Sequence, residues 1–132
     1  MKPIVVAILL SLPNAAVSQD LGLGWQVYLE ACAGCHGETG QGEGAKAALL
    51  TGPVPDLTLL AQRNGGTFDT VRAIHLIDGR AGLAAHNGPM PMFGGLLIGD
   101  AAVVDAVDGS PVATTVPILS VVHWLESIQV EE

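Results

Sequence analysis

Residues 32–36, Cys32-Ala33-Gly34-Cys35-His36, are the stretch of sequence that decides how this chain folds. If the stretch is helical, its spacing puts the two thiols on one face of the helix. The imidazole of His36 follows one position further on. Two nucleophilic sulfurs and a potential metal ligand therefore lie at one place, and the rest of the chain can be interpreted around it.

The C-x-x-C-H pattern is the signature of covalent attachment of a c-type haem. Each sulfur would form a thioether with a haem vinyl group, and the adjacent His36 would ligate the iron. A thioredoxin-like dithiol is expected near a βαβ pattern, and a closed zinc site needs a second pair of Cys or His ligands. The sequence shows neither. A redox dithiol or a structural disulfide remains as the alternative use of Cys32 and Cys35.

The N-terminal residues 1–18 have the pattern of a secretory signal peptide. Lys2 supplies a positive charge, residues 4–12 form a short apolar run, and Ala16-Val17-Ser18 is a small-residue cleavage site. The run is much shorter than the roughly twenty residues that span a bilayer. We therefore expect cleavage near Ser18 rather than an uncleaved anchor, with residues 19–132 forming a single domain that does not enter the membrane.

The charge of the chain argues against nucleic-acid binding. The 132 residues carry a formal net charge of −8, and thirteen of them are Asp or Glu. Without residues 1–18, the basic side chains are Lys46, Arg63, Arg72 and Arg80. A nucleic-acid-binding domain needs a basic surface, whereas this balance favours a protein partner with a basic docking face.

A helix is predicted over residues 21–34, leading directly into the motif. Its apolar residues recur at helical intervals, and Asp20 is available as a cap. Gly22 and Gly24 disfavour a helix. Close approach of another helix would explain them, and a frayed first turn is the alternative.

Capping residues and glycines predict further short helical segments before residue 80. They are one turn within 44–50, a helix over 57–63 capped by Asp56, and a helix from Thr67 or Asp69 to about Ile77. His75 lies in the last of these. We expect it to be a solvated helix residue rather than a ligand, because it belongs to no ligand motif.

Residues 82–95 alternate Pro, Met and Gly and are predicted to form an extended loop. A thioether presented on a stiff loop is what a second axial haem ligand requires.

Residues 96–115 are ambiguous, because a short helix beginning at Asp100 and a hairpin turning at Asp108-Gly109 both fit. Residues 116–129 form the clearest helix, with an apolar stripe and with His123 expected on its exposed side.

With these pieces located, the chain resembles a bacterial class I cytochrome c over residues 20–132. The matching pieces are Gly24-x3-Tyr28-x3-Cys32-x2-Cys35-His36, Pro55-Asp56-Leu57, Arg63-Asn64-Gly65-Gly66, Ile77-Asp78-Gly79-Arg80, residues 88–94 and residues 124–129. Two departures are modest. Phe93 stands where this subgroup often has Trp, and the stretch 96–113 is longer than the minimal fold needs.

The resemblance implies an all-α fold in which the first and last helices cross at near right angles around one covalently bound haem. Gly24 and Tyr28 would meet Val121 and Trp124 at that crossing. Covalent attachment of haem in bacteria takes place outside the cytoplasmic membrane, so the expected location is the periplasm.

The resemblance also implies roles for residues outside the attachment motif. Pro55 would present its carbonyl oxygen to the second ring nitrogen of His36 and so fix the tautomer. Arg80 would neutralise a haem propionate, unless it is a solvated surface residue.

The axial methionine of the family precedes Pro in a Met-Pro-x-aromatic-Gly pattern, which is Met90 in this sequence. Met92 is the competing thioether, followed by His86 or an open position. With His36 and Met90 bound, the iron would have no site for a substrate, and outer-sphere electron transfer at a positive reduction potential is the expected chemistry.

Three functions are therefore open. The first is a diffusible periplasmic electron carrier, expected to be a monomer. The second is a dedicated cytochrome subunit of an oxidoreductase, with Trp25 and residues 96–113 forming an apolar docking patch. The third is a ligand-binding or peroxidatic haem protein in which Met90 dissociates.

Overall fold

The computed structural model of the chain describes residues 15–80 and 90–130, and most of the regular secondary structure in these residues is helical. They form α1 Ala15–Ala31, α2 Ala33–His36, α3 Leu60–Arg63, α4 Thr70–Asp78, β1 Ala101–Asp105, β2 Pro111–Thr115 and α5 Val116–Ser127. Short 3₁₀ turns cover Ala47–Leu49 and Leu57–Leu59. The small β-hairpin corrects the expectation of an all-α chain, whereas the mainly helical character is confirmed. The predicted signal segment lies largely outside the described residues.

The first and last helices pack against each other and form most of the core. Glycine at position 24 makes this possible, because a Cβ there would clash with the backbone carbonyl of Ser120 and lie 2.9 Å from Cβ of Trp124. The predicted close approach at Gly24 is therefore confirmed. Gly22 has open space around it, so close packing does not explain that glycine. The crossing angle of the two helices stays a prediction.

Three aromatic side chains fill the contact between α1 and α5. The ring of Trp124 lies 4.2 Å from that of Tyr28 and 5.0 Å from that of Trp25, measured between centroids. Tyr28 and Val121 are fully buried beside them. Aromatic pairs at these distances add to the stabilisation from buried area, and the predicted meeting of Tyr28 with Trp124 is confirmed.

Helix α1 begins earlier than predicted, at Ala15, so Asp20 lies inside the helix and the prediction that Asp20 caps it is wrong. No Gly or Pro stands between Ala15 and Asp20 to stop the helix. The Asp20 carboxylate instead accepts a hydrogen bond from the Ser120 hydroxyl and pairs with Nδ1 of His123, both on α5. His123 keeps a side-chain exposure of 38%, so it is only partly on the exposed side.

The caps predicted for the middle segments are present. The Asp56 side chain accepts a hydrogen bond of 2.8 Å from the Thr58 amide, and Asp69 accepts one of 2.9 Å from the Arg72 amide. Asp69, rather than Thr67, therefore caps α4. The helix ends where Gly79 adopts a φ of 93°, a left-handed conformation that glycine tolerates. Its buried residues include Ile74 and Ile77.

The ambiguous segment is a hairpin, so the helical alternative beginning at Asp100 is wrong. Strands β1 and β2 pair antiparallel with Val103 opposite Ala113. Gly109 has a φ of 81°, and Asp108 accepts a hydrogen bond of 2.9 Å from the Ser110 amide. The Asp-Gly turn therefore decides in favour of the hairpin.

Hydrogen bonds hold the residues that follow α5 against the segment that follows Asp56. The Gln129 side chain accepts a hydrogen bond of 2.8 Å from the Ala61 amide and donates one of 2.8 Å to the Leu57 carbonyl. The Val130 amide donates to the Thr58 carbonyl at 3.0 Å. These bonds hold the C-terminal end of the chain against residues 57–61.

Candidate haem site

The attachment motif forms a helical turn that continues from α1. The Cys32 amide donates to the Tyr28 carbonyl at 2.8 Å, and the His36 amide donates to the Cys32 carbonyl at 3.0 Å. The Tyr28 hydroxyl donates a buried hydrogen bond of 2.7 Å to the Gly37 carbonyl. Tyr28 therefore joins the end of the motif to the core between α1 and α5.

The glycine-rich loop after the motif folds back onto it. The amides of Gly42, Gly44 and Lys46 donate to the carbonyls of residues 36, 35 and 34, at 2.8, 3.2 and 2.8 Å. A Cβ on Gly44 would lie 2.5 Å from the carbonyl carbon of Cys35. Glycine permits this close approach, and the loop satisfies carbonyls at the end of the helical turn that would otherwise lack partners.

An apolar cavity of about 310 Å³ opens beside the motif. Its size is at the lower end of the range for small-molecule and cofactor sites. The lining combines an imidazole, a thiol and a thioether with aliphatic and aromatic walls. The lining residues are Tyr28, Cys32, His36, Pro55, Leu57, Leu60, Arg63, Asn64, Phe68, Asp69, Arg72, Ala73, Leu76, Ile77, Met90, Val121 and Leu125.

The two thiols are close in sequence but differ in environment. Cys32 is buried and lines the cavity, whereas Cys35 is only partly buried and is not among the lining residues. They are not joined in a disulfide. Burial raises the pKa of the Cys32 thiol to about 12, with a further contribution from the charge of Cys35. The Cys32 thiol is therefore protonated at neutral pH in the folded chain.

The two candidate methionines occupy different positions. Met90 lines the cavity together with His36. Met92 is 56% exposed and is not among the lining residues; its side chain lies over Gly79, where a Cβ would come within 2.7 Å of the Met92 sulfur. The Phe93 amide, which donates to the Ile77 carbonyl at 2.8 Å, fixes this segment to α4. The third candidate, His86, lies outside the described residues.

Of the two other predicted site residues, one lines the cavity and one does not. Pro55 lines the cavity with His36, and the hydrogen bond expected between them stays a prediction. Arg80 does not line the cavity. Its guanidinium binds the Asp78 carboxylate at 2.5 to 2.6 Å and the Ala113 carbonyl at 2.7 Å. It thereby joins the end of α4 to the hairpin.

Sequence reasoning missed two basic residues at the cavity, Arg63 and Arg72. A signal for Arg72 was present, because the cavity face of α4 carries Arg72, Ala73 and Leu76 at helical spacing. Arg63 ends α3 and has no comparable pattern, since only the folded chain brings it to the cavity.

The cavity fits the group that the motif implies. Imidazole and thioether are the axial donors found in cytochromes c, and the apolar walls suit the ring of a haem.

Among the helices of the described residues, none is long and apolar enough to cross a membrane.

Comparison with known proteins also indicates a protein that binds a c-type haem. The family model described as cytochrome c matches residues 22–108, which include the attachment motif, α4, Met90 and β1. Neither the curated proteins nor the solved structures gave a significant match. Because the family match spans well over half of the 132 residues, this protein belongs to the cytochrome c family, whose members carry covalently bound haem.

Proposed function

We propose that this chain is a monohaem class I cytochrome c that carries electrons in the periplasm, with His36 and Met90 as the axial ligands of the iron. The observation that carries the proposal is the shared cavity. An imidazole from the attachment motif and a thioether from a separate segment line the same apolar space. Met92, the competing thioether, is more than half exposed.

Each residue has a distinct task in this proposal. Cys32 and Cys35 would hold the haem through thioethers, and His36 and Met90 would ligate its iron. Bound haem supplies one-electron chemistry, because its iron cycles between Fe(II) and Fe(III). With both axial positions filled, the chain needs only to keep the ligands in place and exclude water. Methionine ligation and an apolar pocket favour Fe(II) and hence a positive reduction potential.

The location and partners follow from the sequence and charge. Residues 1–18 are proposed to direct export to the periplasm and to be removed near Ser18. The exported chain would be a monomer that docks on basic faces of redox proteins, because its own charge is strongly negative. Cleavage after Ser18 would keep Asp20 and its contacts with α5.

One observation favours the second candidate, a dedicated subunit of an oxidoreductase. The side chains of Leu96, Ile98 and Val103 are 67%, 75% and 62% exposed, so the stretch 96–113 presents apolar surface. Trp25, the other residue predicted for this patch, is half-buried and packs against Trp124, and its part in docking stays a prediction. Gel filtration of native extracts would separate a free carrier from a bound subunit.

The first prediction concerns the axial ligand. We expect Met90→Ala to abolish the sulfur-to-iron charge-transfer band of the oxidised protein and to let the reduced protein bind CO rapidly. Met92→Ala is the matched control and should leave the spectrum unchanged. Absorption spectra of both variants, made in cells that attach haem c, provide the measurement.

The same samples can contradict the proposal. Loss of the band in Met92→Ala alone would assign the ligand to Met92. Rapid CO binding by the unsubstituted reduced protein would favour the ligand-binding function instead. A haem-to-protein ratio other than one would refute the monohaem assignment.

A further inference from the structure

We infer that Arg63 and Arg72 bind the two propionate carboxylates of the haem, a role that the family resemblance had implied for Arg80. This inference rests on the proposed function, since it concerns the same bound haem. It assigns the anionic edge of the cofactor to the part of the cavity between α3 and α4.

The first step is the position of the two cations. The described residues from position 20 onward contain four basic side chains in a chain with thirteen acids. Two of these four, Arg63 and Arg72, line the apolar cavity. They lie at the end of α3 and in the first turn of α4, on either side of the loop that joins these helices.

The second step is what the two guanidinium groups bind. Nη1 of Arg63 donates to the backbone carbonyl of Asp56 at 2.8 Å, and this contact holds the side chain while leaving other donors available. Within residues 20–80 and 90–130, the ion pairs are Arg80 with Asp78 and His123 with Asp20. Neither Arg63 nor Arg72 therefore has a carboxylate partner in this part of the chain.

The third step is chemical complementarity. A planar guanidinium presents paired donors that match a carboxylate, and such charge-assisted contacts are among the stronger hydrogen bonds. The acid at the same rim, Asp69, is occupied as the cap of α4 through the Arg72 amide. The two arginines are thus available for carboxylates that a ligand brings into the cavity.

Arg80 differs from both, because its donors are already used. It binds the Asp78 carboxylate and the Ala113 carbonyl and does not line the cavity. Arg80→Gln therefore removes the same charge without touching the proposed contacts, and it serves as the matched control.

The test is the reduction potential of the haem-loaded protein as a function of pH, for Arg63→Gln, Arg72→Gln and Arg80→Gln. An arginine beside a carboxylate lowers the pKa of that carboxylate, by one to three units in typical cases. Removing Arg63 or Arg72 should therefore move the pH-dependent step of the potential upward by about one pH unit. It should also lower the potential, because an unneutralised carboxylate favours Fe(III). Arg80→Gln should keep the profile of the unsubstituted protein.

The outcomes separate this inference from the proposed function. Absence of covalent haem in the unsubstituted protein would refute the function itself. Haem-loaded variants of Arg63 and Arg72 with unchanged profiles, or three variants with equal shifts, would overturn the inference alone. Arg72→Lys keeps the positive charge, so its pH profile should lie between those of Arg72→Gln and the unsubstituted protein. This variant distinguishes the loss of the charge from a folding artefact. Other polar residues at the same cavity, Asp69, Tyr28 and His36, are present in all variants, so their effect on the profiles is shared.

Discussion

At the scale of single residues, Gly24 and Gly22 show how position decides the effect of the same amino acid. Both lie in α1, where glycine disfavours the helix. Gly24 touches the backbone of Ser120, whereas Gly22 faces open space. The sequence suggested close approach of another helix for both glycines, with a frayed first turn as the alternative, and the close approach applies only to Gly24.

Substitution of these glycines should have opposite effects. We expect Gly24→Ala to lower the free energy of unfolding by about 1–3 kcal/mol, because the added methyl group overpacks a rigid backbone contact. Gly22→Ala should raise it by up to about 1 kcal/mol, because alanine is a better helix former and meets nothing. Denaturant unfolding of the haem-loaded proteins measures both. Equal stabilities for the two variants would contradict the close approach at Gly24.

The residues of the site were predictable where they belong to a local motif. Cys32, Cys35 and His36 were predicted from the spacing of the motif, and Met90 from the Met-Pro pattern of the family that the chain resembles. Of these, Cys32, His36 and Met90 line the cavity. Arg63 and Arg72 were missed, because their place beside the cavity depends on how α3 and α4 pack. Such packing brings together residues that no short pattern connects.

At the scale of elements, capping residues predicted where two middle segments begin, whereas Asp20 did not mark the beginning of α1. The caps Asp56 and Asp69 marked the right positions. The segment after Asp100 was ambiguous, since its alanines and valines suit a helix as well as a strand. The turn at Asp108-Gly109 and the pairing with β2 resolved it, and pairing is a property that one strand alone does not encode.

The contact between α1 and α5 should depend on pH through Asp20. Burial opposes the charged form, but hydrogen bonds from Ser120 and His123, with the charge of His123, hold the pKa of the Asp20 carboxyl below its ordinary value of 3.8. A lowered folded-state pKa contributes stability above about pH 4 that is lost as the pH falls through the folded-state pKa. The effect should be no more than about 1 kcal/mol, because the group is partly exposed and screened by solvent.

The comparison of the unsubstituted protein with Asp20→Asn measures this contribution. The stability advantage of the unsubstituted protein should shrink as the pH falls below about 4. Acid changes at the haem affect both proteins and cancel in the difference. A constant difference across this range would show that the charge of Asp20 does not stabilise the contact.

At the scale of the whole molecule, the excess of acidic side chains is the dominant property. A formal charge of −8 creates a field that steers partners of opposite charge before they touch. Two further carboxylates on the haem would add to it. The chain should therefore select its partners by charge as well as by redox potential.

Electron transfer to a basic partner should accordingly slow as salt is added. We expect the second-order rate constant with a basic redox protein to fall by about tenfold or more from low to physiological ionic strength, because salt screens long-range attraction. Stopped-flow oxidation of the reduced protein measures the rate. An acidic redox protein is the control and should show the opposite dependence. A rate with the basic protein that is independent of salt would refute charge-guided docking.

The fastening of Gln129 to residues 57–61 has a consequence for the order of events during biosynthesis. The motif precedes the C-terminal segment, which is held against residues 57–61 by the Gln129 side chain. Cys32 is only 8% exposed in the folded chain, so an attaching catalyst would reach its thiol more easily before those contacts form. We therefore expect covalent loading to come while the C-terminal segment is still undocked, so that docking of this segment encloses a bond already made.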